Sequence, residues 1–216
     1  CWIVLDEEAD ERGDTEVFVV AKSGDRQRQI LARVRRNARE VRMLRATCWG
    51  PRGSIFCSLP LYKQLRVEGS FDACAHTFHA FPDIEERARS NGISGVFTHG
   101  ELEHLDALQS FAERVGDGRT NAPLRVAFKG LGMGDQAAAD IATESHGNVV
   151  KASGGLKGSE RLVYKNGLPY NETGFFEGII VDDRLGVQTL PLSDARPGER
   201  LGEAFSAVQP WYKWSG

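Results

Sequence analysis

The sequence predicts an α+β fold, with strands paired as antiparallel hairpins and helices in separate blocks. Three observations predict it. The apolar run Gly178-Ile179-Ile180-Val181 meets Asp182-Asp183 and resumes as Arg184-Leu185-Gly186-Val187-Gln188-Thr189-Leu190, the pattern of a β-hairpin with two carboxylates at its tip. Leu102, Leu105, Leu108, Phe111 and Val115 recur at helical spacing and predict an amphipathic helix over 101–115. Glu16 to Ala21 reads as a strand, Ser23-Gly24-Asp25 as a turn, and Arg28 to Val34 as the returning strand of a small β-rich lobe.

The remaining elements follow in order. Ser54 to Leu59 reads as a short strand after the Pro51-Arg52-Gly53 turn, and Asp72 to Phe81 as a compact aromatic segment. Pro82-Asp83 opens a short helix through Arg89, which Asn91-Gly92 ends. Pro123 to Phe128 is a strand, and the Gly-rich turn Lys129 to Gly134 follows it. A helix lined with small residues is expected from Gln136 to His146. Residues 152–173 carry several glycines and read as an excursion, and Leu201, Phe205 and Val208 predict a final short helix. The expected partition is an acidic segment at 1–14, a small β-rich lobe at 15–68 and a second domain at 69–216. Its antiparallel sheet would carry the Asp182 hairpin at the centre, with the helices at 101–115 and 136–146 on one face.

The 216 residues are 41% hydrophobic and 26% charged, which suits one globular domain or one domain with a small lobe. No stretch of 18 apolar residues occurs, so no membrane partner is expected, and no secretory signal pattern stands at the start. Cys1 in place of Met points to a piece of a longer chain. Cys1, Cys48, Cys57 and Cys74 match neither a zinc motif nor a dense disulfide framework, so they read as reduced thiols of an intracellular protein, nuclear or cytoplasmic.

Net charge is only −3, but the charge is sorted along the chain. Residues 1–16 hold seven acids and one Arg. Residues 22–46 hold Lys22, Arg26, Arg28, Arg33, Arg35, Arg36, Arg39, Arg42 and Arg45 against Asp25 and Glu40. That run is either a solvated face or a phosphate-binding surface, because guanidinium pairs with phosphate in bidentate geometry. At the hairpin tip, two adjacent carboxylates are either an ordinary turn or ligands for a hard cation beside substrate phosphates.

Basic hairpin, aromatic segment with an Asp, Gly-rich turn opening a helix, then apolar-x-Asp-Asp: this order resembles the fingers and palm of a reverse transcriptase over roughly residues 17–210. In character it resembles divergent dinoflagellate-type retroelement sequences. The resemblance implies a polymerase palm sheet. It also implies Lys22 and Arg28 on the incoming dNTP triphosphate, and Phe78 packed under its sugar. Leu131-Gly132-Met133-Gly134 would shape the pocket for the nascent base pair, with Gly134 and Gln136 at the substrate. Asp72, Asp182 and Asp183 would be the catalytic metal ligands.

The motifs depart from the family pattern at four positions. Ala32 stands where an Asp is usual, Val34 where an Arg is usual, and Ile180 where an aromatic is usual; Arg33 and Arg35 flank Val34 and are candidate substitutes. Counting five residues back from Phe78 lands on Ala73, so Asp72 falls one residue early. The implied activity is extension of a primer 3′-hydroxyl on an RNA template by two-metal phosphoryl transfer with Mg²⁺ or Mn²⁺. The implied partners are an RNA template, a DNA primer and dNTP, within a longer polyprotein or gene product. The alternative is a non-catalytic nucleic-acid-binding or decayed retroelement domain, which keeps the basic lobe and does not need the carboxylates.

Other groupings are weaker. Cys74, His76 and His79 lie within six residues, but Cys-x-His-x-x-His is not a zinc spacing. His99 and His104 are five apart, whereas the helical metalloprotease motif needs four. Gly130 to Gly134 lacks the Gly-Lys-Ser/Thr ending of a phosphate loop.

Overall fold

A computed structural model describes residues 2–6, 15–22, 24, 27–41, 46, 47, 49–59, 63, 65–73, 85–116, 122–194 and 198–212. Of Asp6, Asp72, Ala73, Glu85 and Glu86 it describes the backbone only. Phe78 and the Cys74, His76, His79 grouping lie outside the described residues. The protein is α+β with antiparallel sheets. It divides into two compact units, each built from two stretches of chain: Cys1–Met43 with Phe78–Ala138, and Leu44–Thr77 with Ala139–Gly216.

In the first unit, β1 (Trp2–Asp6) pairs antiparallel with β5 (Leu124–Phe128), with Val4 opposite Val126. The strand β1 falls inside the expected acidic segment. Its Trp-Ile-Val-Leu run is strand-forming, but the carboxylates downstream of it dominate the composition. The hairpin of β2 (Glu16–Ala21) and β3 (Gln27–Ala32) pairs as expected, with Val17 opposite Leu31. The short α1 (Val34–Asn37) follows β3, and α2 (Glu85–Arg89) ends near Asn91, whose side chain donates to the Phe128 carbonyl at 3.1 Å.

The expected helix over 101–115 is two helices, α3 (His99–Leu102) and α4 (Asp106–Val115). Helical geometry explains the break. At 3.6 residues per turn, Leu102 and Phe111 would lie about half a turn out of phase in one straight helix. Both are buried in one cluster with Leu108, Val4, Leu124 and Val126, so the chain breaks at 103–105 to reset the phase. A capping box, with Thr98 and Glu101 reciprocally bonded, starts α3. The cluster also corrects the expected packing. Here α4 lies on the β1–β5 pair, not on the sheet that carries Asp182.

The second unit is built on a three-stranded antiparallel sheet of β4 (Leu65–Ala73), β7 (Asp183–Pro191) and β6 (Phe175–Ile180), with β7 in the middle. At β6 both faces are covered, while Val67 and Phe71 of β4 stay exposed. On one, Ile179 packs with Val150 of α5 (Ala138–Ala152) and Val208 of α6 (Glu199–Tyr212). On the other, Phe176, Leu185 and Val187 meet Leu59, Leu162, Ile55 and Phe56. Double coverage explains why Phe175-Phe176 and Ile179-Ile180 of β6 stand as adjacent apolar pairs instead of alternating with polar residues.

Segment 54–59 is not the expected strand but part of a 3-10 helix, Gly53–Ser58. Strand alternation would send Ile55 and Phe56 to opposite sides, yet both join the same cluster, and Phe56 and Leu59 fall at the three-residue period of this helix. Strand β4 was not legible, because Arg66, Glu68, Gly69 and Ser70 dilute its apolar signal. The helix α5 outruns its expected end at His146, because Val150 contributes to the core before Gly154, at φ +88°, stops it.

Candidate functional site

The hairpin of β6 and β7 closes on Ile180 opposite Asp183, leaving Val181 and Asp182 as a two-residue turn. Val181 has φ +59°, a left-handed conformation that a β-branched residue rarely adopts and that costs about 1–3 kcal/mol. The surroundings hold it there. His146 of α5, buried, places Nδ1 3.4 Å from the Val181 carbonyl oxygen and Nε2 2.6 Å from the Tyr212 hydroxyl of α6. Behind the turn, the Gly50 N–H donates to the Ile179 carbonyl at 2.6 Å, so the edge of β6 is also engaged.

Asp182 and Asp183 are half-buried at this tip. Burial pushes the Asp183 carboxyl above its ordinary value of 3.8, and the neighbouring Asp182 charge pushes it the same way. A raised folded pKa means that stability from this group is fully present below the unfolded value and is lost as pH rises through the folded one. A bound cation opposes both causes. The expected result is an Asp183 pKa above 3.8 without metal that falls on Mg²⁺ addition and also falls in Asp182→Asn. Carboxyl NMR titration measures it, and a metal-free value at or below 3.8 would remove the electrostatic argument.

The third expected ligand sits on the neighbouring strand. Asp72 is in register with Arg184, and Ala73 with Asp183. Position 73, not 72, therefore shares a pleat position with Asp183. Among the described residues no group of three His, Cys, Asp or Glu side chains gathers to hold a metal. At the tip itself, Asp182 and Asp183 offer carboxylate oxygen, the donor type a hard cation takes.

Arg184, next to Asp183, anchors the hairpin from below. It is fully buried, and its Nε donates to Glu177 Oε2 at 3.0 Å while Nη2 bonds the same oxygen. Its Nη1 donates to the Ala204 carbonyl of α6 at 2.9 Å, and the guanidinium lies 4.6 Å from the Phe205 ring centroid. Glu177 Oε1 accepts the Leu156 N–H. The acidic tip thus rests on a neutralised, hydrogen-bonded pair. Sequence reading named neither Arg184 nor Glu177 as functional; a charged residue inside an apolar strand was the available signal.

The other expected site residues belong to the first unit. Lys22 and Arg28 are both exposed at the turn end of the β2–β3 hairpin, Arg28 standing opposite Val20. Arg33 is not a candidate substitute for a phosphate contact. It is buried, with Nη1 2.5 Å from Asp135 Oδ2 and Nη2 2.7 Å from Glu40 Oε1. Gln136 is engaged structurally, its Nε2 donating to the Glu40 carbonyl at 2.9 Å and its N–H to Asn37 Oδ1 at 3.3 Å.

Gly134 has φ +117°, and a Cβ there would collide with the Leu31 carbonyl oxygen. Its lack of a side chain is explained by the approach of the Gly-rich turn to β3, which the Leu31 N–H to Met133 carbonyl bond of 3.0 Å fixes. Gly134→Ala is expected to destabilise the protein by at least about 1–3 kcal/mol. Urea unfolding checks this, and a loss below about 0.5 kcal/mol would show that the turn relaxes freely.

Compared with known proteins, the chain matches no protein-family model and no curated protein. No helix among the described residues is long and apolar enough to cross a membrane.

Proposed function

We propose that the β6–β7 turn is a divalent-cation site for nucleotidyl transfer of the reverse-transcriptase type. In this reading the second unit is a polymerase palm, acting on a DNA primer, an RNA template and dNTP. The observation that carries it is Asp182-Asp183 on a strained, buttressed turn between two paired strands, with Asp72 one register step away on the third. Strain held at a tip bearing adjacent carboxylates is a common mark of a functional site. Mg²⁺ bound there would lower the pKa of the primer 3′-hydroxyl and stabilise charge on the phosphates. Asp182 and Asp183 would supply its oxygen ligands, and His146 with Tyr212 would keep the turn in place. Lys22 and Arg28 stay available for triphosphate in their own unit, since both are exposed.

A second reading, a nucleic-acid binder without catalysis, is favoured by one observation: Ala73 occupies the position opposite Asp183. Primer extension with Mg²⁺ and dNTP on an RNA template separates the two. Extension that EDTA abolishes supports the polymerase reading. No extension, with salt-sensitive RNA binding retained, supports the binder.

A further inference from the structure

A cleft of about 350 Å³ opens beside the 3-10 helix of the second unit, lined by Arg52, Ser54, Ser58, Lys165 and Asn166 against the apolar Ile55. None of its lining residues belongs to the β6–β7 turn. Arg52 and Lys165 are exposed and converge on one ring. The Arg52 guanidinium lies 5.2 Å from the Tyr164 centroid and donates to the Tyr164 hydroxyl at 2.8 Å, and Lys165 Nζ lies 5.3 Å from the same centroid. Among the described residues no carboxylate lines the cleft and neither cation has an acidic partner.

The frame that presents these cations is fixed. The Tyr164 N–H donates to the Trp49 carbonyl at 2.9 Å, and the Asn166 N–H closes a turn on the Val163 carbonyl at 3.1 Å. Lys165, inside that turn, has φ +67°, a conformation a non-glycine residue adopts at a cost and one that concentrates at binding sites. Two like charges held on one aromatic ring repel each other, and an anion between or beside them relieves that repulsion. Every described polar side chain of the lining can donate: a guanidinium, an ammonium, two hydroxyls and an amide. That inventory matches the acceptor-only oxygens of a phosphate, and the volume suits a nucleotide-sized group.

We propose that this cleft binds a phosphate group of a nucleotide or nucleic-acid strand. Arg52 and Lys165 are its charge partners, and Ser54, Ser58 and Asn166 its hydrogen-bond donors. The site needs neither a metal nor nucleotidyl transfer, so it stands apart from the reading of the β6–β7 turn.

The test measures binding of a labelled single-stranded RNA decamer and of AMP to the full chain in EDTA, across a salt series. The Arg52→Ala/Lys165→Ala double variant is compared with the parent protein. Both residues are exposed, so the fold should survive, and matched thermal melting confirms it. The decamer should bind at least about tenfold more weakly, with a log affinity against log salt slope shallower by about 1.4, since each phosphate neutralised on a single strand contributes about 0.7. If AMP binds the parent protein and loses affinity in the variant, the source is a free nucleotide. If only the decamer does so, the source is a strand backbone. Unchanged affinity and slope for both probes, or binding of neither by the parent protein, overturns the proposal. Asp182→Asn separates the two sites: it should leave this binding intact even where extension fails.

Discussion

Replacing Asp182 with Asn is expected to lower Mg²⁺-dependent primer extension by more than about 100-fold. Even groups that only orient a metal ligand cost about 10–100-fold when removed, and Asp182 would be a ligand itself. The amide keeps the size of the side chain but loses the negative charge that draws a hard cation. The turn should tolerate the change, because its shape is set by the Ile180–Asp183 pair, the Val181 conformation and the His146 contact, none of which uses the Asp182 carboxylate. Relief of repulsion on Asp183 should leave melting unchanged or slightly raised. Asp183→Asn makes the contrast, removing the carboxylate whose ionisation folding disfavours. If Asp182→Asn extends primers within about tenfold of the parent protein, the β6–β7 turn is not the catalytic centre.

The second large effect is on stability. Glu177→Gln should destabilise the protein by about 3–5 kcal/mol, because it leaves the Arg184 cation buried without its counter-charge. Both side chains are fully buried, and Arg184 makes its other contacts to the Ala204 carbonyl and the Phe205 face, neither of which carries a charge. A domain has only about 5–15 kcal/mol in total, so the loss would be visible in any denaturation measurement. Glu177→Leu with Arg184→Met should recover most of it, since a buried ion pair exchanged for apolar groups is often neutral. The Leu156 N–H would then be left without its acceptor, at a cost of about 1–3 kcal/mol. A double variant no more stable than Glu177→Gln would mean that the pair organises the unit beyond its charge balance. Because Arg184 adjoins Asp183, these variants also probe how firmly the tip is held.

Those two residues show where sequence reading stopped. Asp182 and Asp183 were legible because a hairpin tip is a local feature: two apolar runs and a polar break define it without reference to the rest of the chain. Glu177 and Arg184 looked like interruptions of those runs. Their meaning depends on meeting diagonally on one face of paired strands, with helix α6 laid over them. The same distinction separates Lys22 and Arg28 from Arg33. All three sit in one basic run, yet Asp135, far downstream in the chain, turns Arg33 into a buried ion-pair partner. Asp72 is the sharpest case. A count from Phe78 left it one residue out, and only strand pairing set it against Arg184 with Ala73 against Asp183.

By itself, the sequence determined the α+β class, the β2–β3 hairpin, strand β5 and the carboxylate-tipped turn. Each of these rests on period, turn chemistry or composition within a few neighbouring residues. Only the tertiary structure decided that 101–115 breaks in two, that 53–58 coils as a 3-10 helix, and that each unit joins two distant stretches of chain. Those outcomes follow from burial. A side chain goes where apolar neighbours from elsewhere in the chain can exclude water, and local spacing bends to meet them.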